Sequence, residues 1–209
     1  LKDILGDELS LAVVNAPSLC VAAGPEEAVI KLEESLNKRD ILSRRIRTSH
    51  AFHSKMMEPM KEEFANYLKD MSFSPPEIPY ISNVTGTWIT DEEATDPFYW
   101  AEHTCRTVHF SKGVGLLLEN SETTLLEVGP GQSLTGFAIQ HPNNGKAMYG
   151  HVFPSLRNRN ENLPDELFLL NTIGRLWLGG VEIDPSALYT GEQRSRVPLP
   201  TYPFERRKF

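Results

Sequence analysis

Twice along the chain a short apolar run ends at a glycine-proline turn, and a segment with helical periodicity follows. The first run covers residues 19–23 and stops at Gly24-Pro25, and the second covers residues 123–128 and stops at Gly129-Pro130-Gly131. Alternation of strand, glycine turn and helix is how α/β layers are built. The pattern therefore predicts an α/β protein, and 209 residues are enough to bury a core.

The first 48 residues predict a small antiparallel layer with one helix packed on it. Residues 9–15 and 19–23 are short apolar runs with a proline-containing turn between them. From Pro25 onward, two glutamates and then apolar residues at helical spacing predict a helix. Residues 41–48 show the alternation of an extended segment. The predicted order is β-β-α-β.

The later residues continue the alternation. The pattern predicts helices over 56–71, 97–119, 132–140 and 164–178, extended segments over 80–84, 123–128 and 148–156, and a turn at 143–145. Residues 197–207 contain three prolines, which favour an extended, polyproline-like course. Leu199, Tyr202 and Phe204 would be costly to leave in water, so we expect this tail to lie on a folded surface.

The composition narrows the class of protein. A net charge of −7 and a pI near 5.4 argue against a nucleic-acid binder. No apolar run approaches the roughly 20 residues that span a bilayer, and the first residues are not a signal peptide. Cys20 and Cys105 are far apart and form no metal or redox motif, so we interpret them as reduced thiols of a cytoplasmic protein.

One stretch, Thr48-Ser49-His50-Ala51-Phe52-His53-Ser54, carries candidate chemistry. Imidazole changes charge near neutral pH, so a histidine where an extended segment meets a helix could be a general base. A base needs a nucleophile, and no Gly-x-Ser-x-Gly elbow occurs in the sequence. The alternative for His53 is an ordinary histidine at a helix entry.

Other candidate sites are weaker. His50 and His53 could share a metal ion, but no third ligand is evident, so no metal is predicted. Residues 127–133 resemble a phosphate-binding loop but lack its lysine, and a tight turn that packs a helix on a strand is the better interpretation. His103 and His109 could be half-buried helix residues. The segment around His103 could also supply a backbone carbonyl that fixes the tautomer of a catalytic imidazole.

Several separate stretches match one family in order. They are Asn15-Ala16-Pro17-Ser18, Ala23-Gly24-Pro25, Ser49–Ser54 with Met57-Glu58-Pro59, Ser82-Asn83-Val84-Thr85-Gly86, Tyr99-Trp100 through His103 to Val108 and Phe110, Glu127–Gly131, and Leu199–Arg206. Together they cover almost the whole chain. The sequence resembles the C-terminal part of the acyltransferase domain of modular polyketide synthases, which is related to the malonyl-CoA:ACP transacylases.

The resemblance implies an architecture. Residues 1–48 would be most of a ferredoxin-like α+β small subdomain. Residues 49–142 would be the C-terminal part of an α/β-hydrolase-like large subdomain. Residues 143–209 would be an extended linker that runs toward the ketosynthase.

The resemblance also implies a reaction. A serine, expected upstream and absent from this chain, would take a malonyl group from malonyl-CoA and pass it to the phosphopantetheine of an acyl carrier protein. His53 would be the base, and the backbone carbonyl of His103 would orient its ring. No cofactor would be bound by the chain itself. The expected partners are the carrier protein, the ketosynthase and the missing N-terminal acyltransferase segment, with no nucleic acid and no membrane.

His50, Ala51 and Phe52 resemble the specificity motif of malonyl-selective members, whereas methylmalonyl-selective members tend to have Tyr-Ala-Ser-His there. Phe52 would fill the space that an α-methyl group needs. Two other hypotheses remain: a docking platform for ketosynthase and carrier protein without catalysis, and a thioester hydrolase or decarboxylase of the same fold.

Overall fold

A computed structural model describes residues 2–143, 150–193, 195 and 197–204. In chain order the elements are α1 (Lys2–Leu5), β1 (Ser10–Ala16), β2 (Leu19–Ala23), α2 (Glu26–Asn37), a 3-10 helix (Lys55–Met60), α3 (Lys61–Leu68), α4 (Asp91–Thr95), α5 (Pro97–His103), α6 (Phe110–Leu117), β3 (Leu125–Glu127), α7 (Ser133–Ile139), β4 (Val152–Pro154), α8 (Asp165–Leu178) and a second 3-10 helix (Pro185–Tyr189). Helices and short strands share the chain, so the predicted α/β class is confirmed.

β1 and β2 form an antiparallel hairpin, and α2 packs on it. The register pairs Ala16 with Leu19, which leaves Pro17 and Ser18 as the turn. The first turn of α2 carries two glutamates, where negative charge complements the helix dipole. These elements share a small core, so the predicted hairpin and helix are confirmed. The core is built from Leu5, Leu9 and Ala28.

The prediction of a further strand over residues 41–48 is wrong. The segment lies outside any sheet, and its Leu42 side chain is 98% exposed. The second backbone neighbour of β1 is Val108 instead, which exchanges two hydrogen bonds with that strand, at 2.8 and 2.9 Å. Arg45 pairs with Glu33 of α2 at 2.9 Å. The segment therefore runs along the helix rather than along the hairpin.

Two long predicted helices are each interrupted. The first divides into a 3-10 helix and α3, because Pro59 has no N–H to donate to the helical ladder. The second is broken over residues 104–109, where Val108 pairs with β1 and the Thr107 hydroxyl donates to Leu11 O at 2.6 Å. In both places a local or tertiary constraint overrides helix propensity.

The second core lies where α6 and α7 pack against a two-stranded parallel sheet, β3–β4. The strand predicted over residues 123–128 is confirmed as the shorter β3, and its apolar composition does not mean full burial, since Leu126 is 43% exposed. The predicted strand over 80–84 is reduced to one bridge between Ile81 and Trp88. The core residues are Val114, Leu118, Ala138 and Val152.

The tail does not lie on a surface of the described structure. Leu199, Tyr202 and Phe204 are each at least 74% exposed, which contradicts the prediction that they are covered. Prolines disfavour strand pairing, and among the described strands none pairs with this run. Residues 144–149 and 205–207, which belong to the predicted turn, extended segment and tail, lie outside the described residues. In the described ranges, no helix combines the length and apolarity needed to span a bilayer.

Candidate active site

His53 sits at a sharp junction between the extended segment and the 3-10 helix that follows. Its φ of 59° is in the left-handed region, which is uncommon for a residue with a side chain. The neighbouring Ser54 caps the 3-10 helix by accepting from Met56 N–H at 3.2 Å, and it is 1% exposed. His53 N–H itself donates to Thr104 O at 2.8 Å. Hydrogen bonds therefore fix the backbone at His53 and just after it.

The ring of His53 is oriented by two backbone carbonyls at the end of α5. Nδ1 lies 3.1 Å from His103 O and 3.1 Å from Arg106 O. A carbonyl only accepts hydrogen bonds, so Nδ1 must carry the proton and, in the neutral ring, Nε2 has the free lone pair. Within the described ranges Nε2 has no hydrogen-bond partner. The arrangement gives the tautomer that a general base needs.

The sequence analysis named His103 as the source of an orienting carbonyl and missed Arg106. The end of α5 is a signal for His103 alone, because the last carbonyls of a helix have no partners within it and accept from other groups, whereas Arg106 lies beyond the helix. The rings of His53 and His103 meet edge to face with centroids 5.5 Å apart. Burial lowers the pKa of His103, and the neighbouring His53 adds to that shift.

A cleft of about 370 Å³ opens beside His53. Its walls come from β1, from the 3-10 helix and from the segment between α5 and α6, so residues distant in sequence meet there. The thiols of Cys20 and Cys105 are free. The lining residues are Ser10, Leu11, His53, Lys55, Glu58, Val84, Cys105, Arg106, Thr107 and His109.

The three predicted specificity residues immediately precede His53 in the sequence, but they do not line the cleft. The rings of His50 and Phe52 are 5.8 Å apart, and Phe52 is 48% exposed. His50 is exposed, and its Nδ1 lies 2.9 Å from the Ser49 hydroxyl. Ala51 is half-buried, and its carbonyl accepts from the Ser54 hydroxyl. The structure thus brings His53 and His103 together and leaves His50 and Phe52 facing outward.

The loop at residues 129–131 is a turn between β3 and α7. Two backbone N–H groups at the start of α7, from Leu134 and Thr135, donate to the Glu127 carboxylate at 3.2 and 2.8 Å. Burial alone would raise the pKa of Glu127, but these hydrogen bonds outweigh it and lower the pKa. A carboxylate already occupies the place of an anion, so the turn interpretation is confirmed. Across the described part of the chain, no cluster of three or more His, Cys, Asp or Glu could hold a metal ion.

Comparison with curated proteins gives close relatives of one type. The chain is 35% identical over 209 residues to a phenolphthiocerol/phthiocerol polyketide synthase of Mycobacterium tuberculosis, covering 98% of this chain and 14% of that protein. It is 36% identical over 203 residues to the spectinabilin polyketide synthase system protein NorB of Streptomyces orinoci, covering 97% of this chain and 9% of that protein. The chain therefore spans a small part of these relatives.

Solved structures agree. The acyl transferase domain of SpnD is 40% identical with a TM-score of 0.78, over 86% of this chain and 43% of that one. The acyltransferase domain from the second module of the salinomycin polyketide synthase is 34% identical with a TM-score of 0.81, over 96% of this chain and 46% of that one. The family described as acyl transferase domain matches residues 1–182. The curated relatives named above are polyketide synthases, and this chain belongs to the acyl transferase domain family.

Proposed function

We propose that this chain supplies the general base of a transferase that moves a malonyl group from coenzyme A to the phosphopantetheine thiol of an acyl carrier protein. The observation that carries the proposal is the Nδ1 of His53 held by the carbonyls of His103 and Arg106. The nucleophile is a serine outside these 209 residues, since the sequence has no Gly-x-Ser-x-Gly elbow.

His53 acts twice in this mechanism. Nε2 takes the serine proton as the oxygen attacks the thioester carbonyl, and the imidazolium returns the proton to the departing thiolate of coenzyme A. In the second half, Nε2 takes the proton of the carrier thiol as sulfur attacks the serine ester, and the serine oxygen recovers it. Each imidazolium is stabilised because Nδ1–H donates to carbonyl oxygens.

A malonyl-type acyl group is supported by one relative and one residue. The SpnD domain, 40% identical, is described in complex with a 2-substituted malonyl group. The residue is Phe52: the run His50-Ala51-Phe52-His53 resembles the malonyl-selective motif, in which a smaller side chain would leave room for an α-substituent, although in this chain Phe52 is 48% exposed and does not line the cleft. We assign His50, Ala51 and Phe52 to selection of the unsubstituted malonyl group.

The separate cores support a division of the chain. Leu5, Leu9 and Ala28 belong to one core, and Val114 and Val152 belong to the other. We assign residues 1–48 to most of the small ferredoxin-like subdomain, residues 49–142 to the C-terminal part of the large α/β-hydrolase-like subdomain, and residues 143–209 to a linker. The cores support the first boundary, whereas β4, inside the linker range, packs with the large subdomain because Val152 shares a core with Val114. The family match extends through residue 182, so this linker begins inside the matched region.

A second candidate function is a docking platform for the ketosynthase and carrier protein. The exposed apolar side chains of the tail favour it, because large exposed apolar groups mark interaction surfaces. The two functions are compatible, because the tail can bind the ketosynthase while His53 acts as the general base for transfer to the carrier protein.

The decisive variant is His53→Gln in the longer transferase that carries the serine. Single-turnover transfer from malonyl-CoA to a carrier thiol should slow by about 10²–10⁴-fold, the usual contribution of a general base. His151→Gln is the matched control, because that imidazole lies before β4 and does not line the cleft. Transfer within two-fold of wild type in His53→Gln would reject the proposed role.

A further inference from the structure

A cluster of four ion-paired side chains lies directly behind the carbonyls that hold His53. Lys61, the first residue of α3, is 3.0 Å from a carboxylate oxygen of Glu102 and 3.0 Å from one of Glu58. The other Glu102 oxygen is 3.3 Å from Arg106 Nε. We call these four residues the Glu102 cluster. It joins α3 to the end of α5.

The cluster is better protected than an ordinary surface pair. This holds for its central pair: the side chains of Lys61 and Glu102 are 20% and 26% exposed, whereas those of Glu58 and Arg106 are 47% and 63% exposed. Hydrogen bonds to Glu102 and then to Glu58 raise the pKa of Lys61, so the ammonium group stays charged throughout the working range of an enzyme. Lys61 also lies 5.5 Å from the ring centre of Phe98 in α5. One cation therefore bridges the two helices.

The connection from the cluster to the imidazole is short. Glu102 is in the last turn of α5, and its carbonyl accepts from Cys105 N–H and Arg106 N–H at 2.9 and 3.1 Å. His103, the last residue of α5, and Arg106, three residues later, provide the two carbonyls that accept from Nδ1–H of His53. The side chain of Arg106 is tied back to Glu102 while its carbonyl faces His53. Any tilt of this turn moves both acceptors.

We infer that the Glu102 cluster is a positioning device for the base: Lys61 and Glu102 fix the turn after α5 so that both of its carbonyls stay on His53 Nδ1. This inference rests on the proposed function for its catalytic meaning. Lys61 and Glu102 are positioning residues, since they reach the imidazole only through the backbone of residues 103–106.

A purely electrostatic role would have a different signature. If Lys61 acted only through its charge, its loss would leave both carbonyls on Nδ1 and the tautomer of the neutral His53 ring unchanged. Loss of positioning weakens the hydrogen bonds from Nδ1–H, which admits the Nε2–H tautomer. The charged and titratable side chains that surround His53 are Lys55, Glu58, His103, Arg106 and His109.

The test is ¹⁵N NMR of the His53 ring in the 209-residue chain, comparing wild type with Lys61→Met. We expect the ratio of Nε2–H to Nδ1–H tautomer to rise about five-fold, the size expected for loss of one hydrogen bond. Lys61→Arg should restore the wild-type ratio, because it keeps the charge and reaches both carboxylates. Lys69→Met is the control: it removes a lysine just after the same helix, whose ammonium group donates to Asn66 Oδ1 at 2.9 Å and is outside the Glu102 cluster.

Kinetics of the longer transferase provide the second readout. In Lys61→Met, kcat should fall with KM little changed, because the variant alters the orientation of the base and leaves the cleft in place. A kcat equal to wild type, or a tautomer ratio equal to wild type, overturns the inference. If Lys61→Met does not fold, Glu102→Gln takes its place with the same expected tautomer change. The NMR ratio needs no reaction, so it is independent of whether His53→Gln abolishes transfer.

Discussion

At the scale of single residues, the proposed chemistry depends on the imidazole of His53 and on the backbone groups that hold it. His53 is held by its own N–H, by the cap at Ser54 and by two carbonyls on Nδ1. A left-handed backbone conformation costs roughly 1–2 kcal/mol for an L-residue, and those contacts offset it. The backbone here orients the ring so that Nε2 is free, and the groups that hold Nδ1 are neutral carbonyls rather than a carboxylate.

Sequence reasoning reached His53 and the carbonyl of His103 because the resemblance rests on a local motif. It did not reach Arg106, whose contribution is a backbone atom and depends on how the chain turns after α5. It also gave no information about the 48% exposure of Phe52, which depends on how the folded chain surrounds that side chain. Identity of a side chain is visible in sequence, and its direction is not.

The selectivity role of Phe52 predicts a change of substrate preference. In the longer transferase, Phe52→Ser should raise kcat/KM for methylmalonyl-CoA relative to malonyl-CoA by about ten-fold, because one methyl group is worth about 1–3 kcal/mol of discrimination. Phe52→Leu keeps bulk at this position and should keep most of the preference. A ratio of the two kcat/KM values unchanged in Phe52→Ser would refute the steric role.

Burial of His103 predicts a pH-dependent stability. Its pKa is lowered in the folded chain, so the unfolded chain binds more protons once the pH falls below the ordinary histidine value near 6.5. The free energy of unfolding should therefore decrease between pH 6.5 and 5, above the range where carboxylates titrate.

Urea titrations across that pH range check this prediction, with His103→Gln as the test and His151→Gln as the control. The slope of stability against pH should be shallower in His103→Gln. Equal slopes in wild type and His103→Gln would show that burial of this ring does not disfavour its charged form.

At the scale of elements, helices and turns that are set by neighbouring residues could be predicted from the sequence. Breaks that are set by contacts with distant parts of the chain could not. The hairpin at Pro17, the start of α2 after Pro25 and the helix over residues 165–178 follow from turn chemistry and periodicity. The break over residues 104–109 follows from pairing of Val108 with β1, more than 90 residues earlier in the chain. Periodicity within a window carries no sign of such a partner.

The Glu127 carboxylate should be a measurable cap of α7. Glu127→Ala leaves the N–H groups of Leu134 and Thr135 without their acceptor and should lower the free energy of unfolding by about 1–2 kcal/mol. Because the pKa of Glu127 is lowered in the folded chain, this contribution is present above its unfolded pKa and is lost as the pH falls.

Urea unfolding at pH 7 and pH 3 measures both parts of that prediction. The difference between wild type and Glu127→Ala should shrink at pH 3. Glu122→Ala, an exposed carboxylate before β3, should have little effect at either pH. A Glu127→Ala chain as stable as wild type at pH 7 would contradict the capping role.

At the scale of the whole molecule, the chain holds a base, its orienting carbonyls and their supporting ion pairs, while the acyl-accepting hydroxyl is assigned to residues outside it. These 209 residues span less than half of the SpnD and salinomycin domains to which they are similar. We therefore predict that the chain alone forms no covalent malonyl adduct on incubation with malonyl-CoA, as read by intact-protein mass spectrometry. An adduct on Ser133, or on any serine of this chain, would contradict the division of roles.

The central claim is that His53 presents a bare Nε2 because Nδ1 keeps the proton. The ¹⁵N chemical shifts of the His53 ring in the wild-type chain, followed from pH 5 to pH 9, measure this directly. Our account predicts that the neutral ring is the Nδ1–H tautomer in the great majority of molecules. A neutral ring with the proton mainly on Nε2 would have its lone pair on Nδ1, which faces the two carbonyls. Nε2 could then not take the proton of the hydroxyl or the thiol, and the claim would be contradicted.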